Sequence, residues 1–297
     1  MSTHFLAECL ATPWALQPER LAAYAGVLAG RYLTQRKGPQ PAPAENTGAA
    51  AQAARPGMRS GAIAVIGIYG AIMQRSSQID ICDGGTSTQA ISQALRQANA
   101  DETVSAIVLD IDSPGGSVYG VAELAAEIRG SGKPVTAIAN SLAASAAYWL
   151  GTAAAELYVT PGGEVGSIGV WMAHEDWSKA LAESGVDITL ISSGKFKTEG
   201  HPYGPLGVEA KDFMQSRTDD YYSAFTRDVA KGRKCAVEDV RTGMGQGRVL
   251  GAAQAKTAGM IDGVMTFDQV VRHVAKASPP RGRSALAAAR NELQILG

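Results

Sequence analysis

The chain has 297 residues, 45% of them hydrophobic and 19% charged, with a formal net charge of −1. That is enough apolar material for one large core or two small ones, and the near-neutral balance leaves no broad basic surface for nucleic acid. Cys9, Cys82 and Cys235 are widely spaced and odd in number, which fits neither a disulfide framework nor a zinc site, so inert thiols in a reducing compartment are expected. No apolar run reaches the roughly 18 residues of a membrane span, and the N-terminal residues do not read as a secretion signal, so a cytoplasmic protein is expected.

Residues 1–33 read as an N-terminal helical segment: Pro18 and Glu19 open a helix whose Leu21, Tyr24, Ala25, Leu28 and Tyr32 share a face. That face either packs on its own core or docks on an assembly partner. Residues 34–60, with Pro39, Pro41 and Pro43, form a flexible Pro/Ala-rich linker. The main domain spans residues 61–277, and residues 278–297 form a basic tail with Arg281, Arg283 and a short helix.

Within the main domain, Ile63, Val65, Ile66 and Ile68 predict a strand ending at Tyr69-Gly70. Asp83-Gly84-Gly85 is a turn, after which Thr86 or Ser87 caps a helix with Ile91, Ala94, Leu95 and Ala98 at helical spacing. A second strand, Ile107–Ile111, breaks at Asp112-Ser113-Pro114-Gly115-Gly116. The helix expected from near Ser117 buries Val121, Leu124, Ala125 and Ile128 and stops at Gly130. Val135–Ala139 is the next strand, and this β-α-β order implies a parallel sheet with right-handed crossovers.

Further on come Leu157–Thr160, a Pro161-Gly162-Gly163 turn, the run from Gly166 to Trp171 and a short helix at Trp177–Glu183. A strand at Ile188–Ile191 leads into Gly194-Lys195-Phe196-Lys197, which would put a lysine at the end of a buried strand. A long helix over 208–232 turns Met214, Tyr221, Tyr222, Phe225 and Val229 inward. Gly247–Leu250, an alanine-rich helix and a last helix at Phe267–Val274 close the domain.

Two stretches carry chemistry. Gly115-Gly116 suits a loop whose backbone N–H groups face a ligand, and donors at a helix start suit an anion. Asn140-Ser141-Leu142-Ala143-Ala144-Ser145-Ala146-Ala147 puts a serine among alanines at a strand-to-helix step, where small neighbours admit a substrate backbone and the helix start favours developing negative charge. Each alone is also an ordinary turn or cap. Together they are the layout of a serine nucleophile beside an oxyanion hole.

With Gly166-Ser167-Ile168-Gly169-Val170 and Gly194-Lys195-Phe196-Lys197 in the same order, the chain resembles the signal peptide peptidase family of serine proteases over about residues 60–275. The likeness is to the phage prohead (capsid-assembly) branch, whose leader Thr12–Leu21 also resembles. The resemblance implies an α/β crotonase-like, Clp-protease-like fold of repeated β-β-α units with a parallel sheet. It also implies Ser145 as nucleophile, Lys197 as general base, Ser167 as the group orienting the lysine, and an oxyanion hole at Gly116 helped by Gly115 and Ala146. No cofactor and no metal are implied.

Other implied features are a homo-oligomer, with the Ser-Lys dyad closed either within a chain or between neighbours, and protein substrates such as phage scaffold, portal and capsid proteins, cleaved within a prohead. A cytoplasmic peptidase digesting signal peptides and a non-catalytic assembly protein are the alternatives. Ala146 and Ala147 stand where membrane-bound relatives carry glycines, a difference bearing on pocket shape. Lys195 shares a face with Lys197 along an extended segment, and His174 is the candidate for a Ser-His-Asp arrangement instead.

Overall fold

The computed structural model describes residues 13–16, 63–75 and 85–278. Its elements in chain order are β1 (Trp14–Leu16), β2 (Ile63–Met73), β3 (Thr86–Ser87), α1 (Thr88–Ala100), β4 (Ala106–Ser117), α2 (Val121–Arg129), β5 (Val135–Ala144) and α3 (Ala146–Gly151). There follow β6 (Glu156–Val159), β7 (Glu164–Gly166), α4 (Ser178–Glu183), α5 (Val208–Arg233), α6 (Val237–Gly243), β8 (Val249–Gly251), α7 (Ala252–Thr257), β9 (Gly263–Val264) and α8 (Phe267–Ala277).

The sheet runs β3-β2-β4-β5-β6-β9 and every pairing on that path is parallel. Central strands of such a sheet are covered on both faces, so β4 and the first half of β5 are near-continuous buried runs rather than alternating ones. Ile91, Leu95 and Ala98 of α1 and Val121, Leu124, Ala125 and Ile128 of α2 cover one face. Val270 and Val274 of α8 cover the other, against Ile63, Val108 and Ile138. The parallel α/β architecture and the inward faces of α1 and α2 are those the sequence predicts. Ser87 makes the α1 cap, its hydroxyl accepting from Ala90 N–H.

Some expectations are corrected. No break or helix start falls at Asp112–Ser117. The strand continues through both glycines, because Gly116 has no side chain to keep β2 away, and Ala71 and Ile72 pair with Gly115 and Gly116 past a bulge. The helix starts only at Val121, after Gly120 at φ 76. β2 correspondingly runs past Gly70 to Met73. The strand expected at Ile188–Ile191 is absent: the run is exposed coil, with Ile191 94% accessible, since no sheet edge reaches it. Lys197 therefore ends no buried strand.

Of the residues expected inward on α5, Phe225 and Val229 are buried, with Thr226 and Ala230 beside them, Tyr221 and Tyr222 pack partly buried against the core, and Met214 is only half-buried. Trp14–Leu16, placed by sequence in a helical segment, is a buried strand. The helix at Pro18 onward, the linker 34–60, Asp83-Gly84 and the basic tail beyond Ser278 lie outside the described residues.

Candidate active site

β5 delivers Ser145 and α3 carries the chain away from it. Between them the backbone must reverse within one residue, and Ser145 makes the turn at φ 57, ψ −121. That region is the one type II′ turns give to glycine, so a serine here is strained. Its N–H donates to Gly166 O at 2.7 Å, which ties the turn to the end of β7. A nucleophile on a sharp strand-to-helix turn, hydroxyl at the tip, is a recurring solution in α/β hydrolytic folds.

The helix behind the serine is locked from several sides. Trp149 stacks on Phe225 of α5 with ring centroids 4.7 Å apart and donates Nε1–H to Asp228 Oδ2 at 2.9 Å. Arg129 Nη2 donates to the other oxygen of Asp228 at 2.8 Å. Tyr148, whose phenol burial pushes upward, donates to Met260 O at 2.9 Å. Gly232 lets α5 approach: a Cβ there would lie 1.9 Å from Thr152 O.

The glycine pair lies beside the serine. A Cβ on Gly115, which sits at φ 97, would meet Ala144 O and Ser145 Cβ, both at 2.9 Å. On Gly116 it would meet Ile72 O at 1.8 Å. Both positions therefore demand glycine, one through conformation and one through close passage of β2. Ser113, fully buried, donates its hydroxyl to Gly70 O at 2.6 Å and accepts from Gly115 N–H at 3.2 Å. This side chain, which the sequence reading passed over, braces the pair and occupies the Gly115 donor. Ala146 opens α3, so its N–H is one that a helix start leaves without an intrahelical partner.

Ser167 adjoins this group: it follows the Gly166 that holds Ser145, has φ 56, and donates its N–H to Arg248 O at 2.8 Å. Thus Ser145, Ser167, Gly115, Gly116 and Ala146 converge. Lys197 does not join them. It is exposed, while Ser145 is 1% accessible and its Oγ has no hydrogen-bond partner among the described residues. Lys195 forms a surface pair with Glu209 at 3.0 Å and lies over the Phe196 ring. His174 bonds through Nε2 to His201 O at 3.0 Å, in a cavity of about 490 Å³ lined also by Phe196, Phe213 and Met214, and not to Ser145. Among the described residues no cluster of His, Cys, Asp or Glu could hold a metal ion, and no helix is long and apolar enough to cross a membrane.

The largely parallel sheet with helices on both faces is of the crotonase-like, Clp-protease-like class, the fold of the family that the sequence matches. The chain belongs to peptidase family S49, whose model matches residues 127–279 and so takes in Ser145, Ser167 and Lys197. It is 39% identical over 171 residues to the capsid assembly protease C of Escherichia phage lambda, an alignment covering 57% of this chain and 39% of that protein. It is 33% identical over 246 residues to the head-tail preconnector protein GP5 of Enterobacteria phage P21, covering 79% of this chain and 48% of that one. Protease 4 of Salmonella typhi is 32% identical over 224 residues, covering 74% of this chain and 35% of its own length. The chain thus spans less than half the length of these relatives.

Proposed function

We propose that the chain is a serine endopeptidase in which Ser145 attacks the peptide carbonyl and Lys197 of a neighbouring copy removes the serine proton. The observation that carries this is Ser145 itself: a non-glycine residue held in a glycine conformation, with a buried and unpartnered hydroxyl, beside the Gly115-Gly116 strand. Strain and an orphan hydroxyl are costs that structure alone does not repay, and they concentrate where chemistry needs a group aimed in advance.

In the proposed sequence Ser145 Oγ bonds to the carbonyl carbon as its proton passes to the lysine amine. The resulting oxyanion accepts from the N–H groups of Gly116 and Ala146. The lysine then gives the proton to the departing amine, and water hydrolyses the acyl-serine by the same route. Ser167 has the role of orienting the lysine.

Lysine supply from a second copy is supported by the exposure of Lys197 against the burial of Ser145, whose Oγ has no hydrogen-bond partner among the described residues, and by the surface that carries Lys197. Along the arm of residues 177–213, which carries Lys197 and ends in the first turns of α5, Trp177, Ile191, Phe196, Val208 and Phe213 are each more than half exposed, a cluster of apolar surface suited to contact with another protein. The relatives named for capsid assembly and for the head-tail preconnector favour phage head proteins, such as scaffold or portal, as substrates. A cellular peptidase role is the weaker reading.

The test is to co-express Ser145→Ala and Lys197→Ala chains. Each alone should be inactive on casein, whereas mixed oligomers, verified by native mass spectrometry, should recover part of the activity, because some interfaces join an intact serine to an intact lysine. Silence from verified mixed oligomers, under conditions in which the parent oligomer cleaves casein, would return the dyad to a single chain.

A further inference from the structure

Strand β1 lies where a substrate of the proposed peptidase would have to lie. Trp14, Ala15 and Leu16 are 2%, 0% and 3% accessible and run antiparallel to the glycine pair, with Trp14 opposite Ser117, Ala15 opposite Gly116 and Leu16 opposite Gly115. Val118 N–H donates to Pro13 O at 3.3 Å. Antiparallel ladders alternate bonded and non-bonded pairs, so Ala15 and Gly116 form the next bonded pair and the Ala15 carbonyl faces the Gly116 N–H. That is the donor assigned above to the oxyanion.

The same carbonyl flanks the nucleophile. The point where Gly115 would carry a Cβ is 2.2 Å from Ala15 O and 2.9 Å from Ser145 Cβ. On its other edge the strand is clasped by Trp171: Trp14 N–H donates to Trp171 O at 2.9 Å, Trp171 N–H to Trp14 O at 3.0 Å, and Trp171 Nε1–H to Leu16 O at 2.8 Å. Trp14 and Leu16 pack with Met73 and Trp171, while Ala15 points into the main core. An extended segment bonded along both edges, with side chains alternating between two environments, is bound as recognised peptides are bound. Ser145 Oγ beneath it is closed to solvent.

We infer that Trp14–Leu16 is an internal, substrate-shaped occupant of the cleft, which excludes other peptides from Ser145 until it is withdrawn. This rests on reading the Ser145 site as a peptide cleft. Three residues of ladder bind weakly as a free peptide; what holds them is their covalent attachment to the rest of the chain, which makes rebinding intramolecular. Leaving the cleft therefore requires cutting the tether or seizing the N-terminal segment. A small residue at the Ala15 position is part of the fit, because its carbonyl approaches Gly115 too closely for a strand pushed outward.

The experiment uses the full chain carrying Ser145→Cys, with Cys9, Cys82 and Cys235 changed to serine and a specific protease site inserted within residues 34–60. Alkylation of the thiol placed at position 145, followed by mass mapping, reads access to the cleft without requiring catalysis. The intact chain should label slowly. Cutting the tether and diluting to low micromolar should quicken labelling by about tenfold or more, and a synthetic peptide of residues 12–21 should slow it again.

Trp14→Ala in the uncut chain should also quicken labelling; if that variant does not fold, the tether cut decides. Equal rates before and after the cut would overturn the inference and leave β1 a permanent wall of the domain. With native Ser145, the cut should raise peptide turnover in parallel. Faster labelling without turnover, in a sample shown by native mass spectrometry to be oligomeric, would uphold the occupied cleft while refuting the peptidase reading.

Discussion

Replacing Ser145 should make the protein more stable as it makes it inactive, and the size of the gain follows from two features of the site. The buried hydroxyl has no partner, and a buried unpaired polar group costs roughly 1–3 kcal/mol. Ser145→Ala removes that group and leaves the backbone unchanged, so a gain of about 1 kcal/mol is expected, equivalent to about 2–4 °C in melting temperature for a domain of this size. Ser145→Gly also relieves the conformation at φ 57, ψ −121, a strain of order 1–3 kcal/mol, less about 0.5–1 kcal/mol for the greater freedom of glycine in the unfolded chain.

Urea midpoints should therefore rank Gly at or above Ala, and Ala above the parent, with neither variant cleaving casein. If both midpoints fall below that of the parent, the hydroxyl is satisfied and the residue unstrained. Ser145 would then be a structural cap rather than a residue held for chemistry.

Lys197→Ala should abolish cleavage, while Lys195→Ala, which loses only an exposed ion pair with Glu209, and His174→Ala should keep most of it; a dead His174→Ala beside an active Lys197→Ala would replace the dyad with a triad. Gly116→Ala should cost about 3 kcal/mol or more, seen as loss of soluble protein or a steep fall in melting temperature, because the added carbon meets the Ile72 backbone rather than a side chain that can swing away.

Asp110 bears on pH: burial raises its carboxyl against the pull of Tyr69, whose hydroxyl donates to Oδ2 at 2.5 Å. A raised native pKa means the charged form is disfavoured on folding, so this destabilisation is absent below the ordinary carboxylate pKa of about 3.9 and complete above the raised one. Asp110→Asn should consequently melt above the parent at neutral pH, with the gap closing as pH falls through the raised value. A gap that widens on acidification would reverse the assignment.

The sequence made the sheet legible because its strongest signals are periodic. Apolar spacing marked α1 and α2, and the β-rich Ile107–Ile111 and Val135–Ala139 runs marked strands of a parallel sheet. It misread the glycine pair, since Pro-Gly-Gly has the composition of a turn and only the close passage of Ile72 shows that a strand continues there. Ile188–Ile191 has strand composition but no edge to pair with, and pairing is a tertiary fact.

Trp14–Leu16 failed for the same reason: three residues carry no period, and their partner lies about a hundred residues away along the chain. At the site, neighbours close in sequence to a glycine or a helix start could be read, which is why Ser145 and the glycines stood out. Ser113 and Trp171, which act through hydrogen bonds to distant backbone, could not.

The single protomer is an incomplete enzyme on the proposed reading, and it is incomplete in two ways that point outward. Its nucleophile is covered by β1, and its lysine lies exposed on an apolar arm. The first requires something to draw the N-terminal segment away; the second requires a second copy to receive the arm. These are separate equilibria, and activity scales with the product of their populations, so each can hold the other in check. A freshly made chain at low concentration would be doubly silent. Concentrating copies while a partner engages residues 1–33 would shift both equilibria at once. A protease that must spare its surroundings until an assembly is built would need that form of control, and here it would arise from where one strand and one loop are placed.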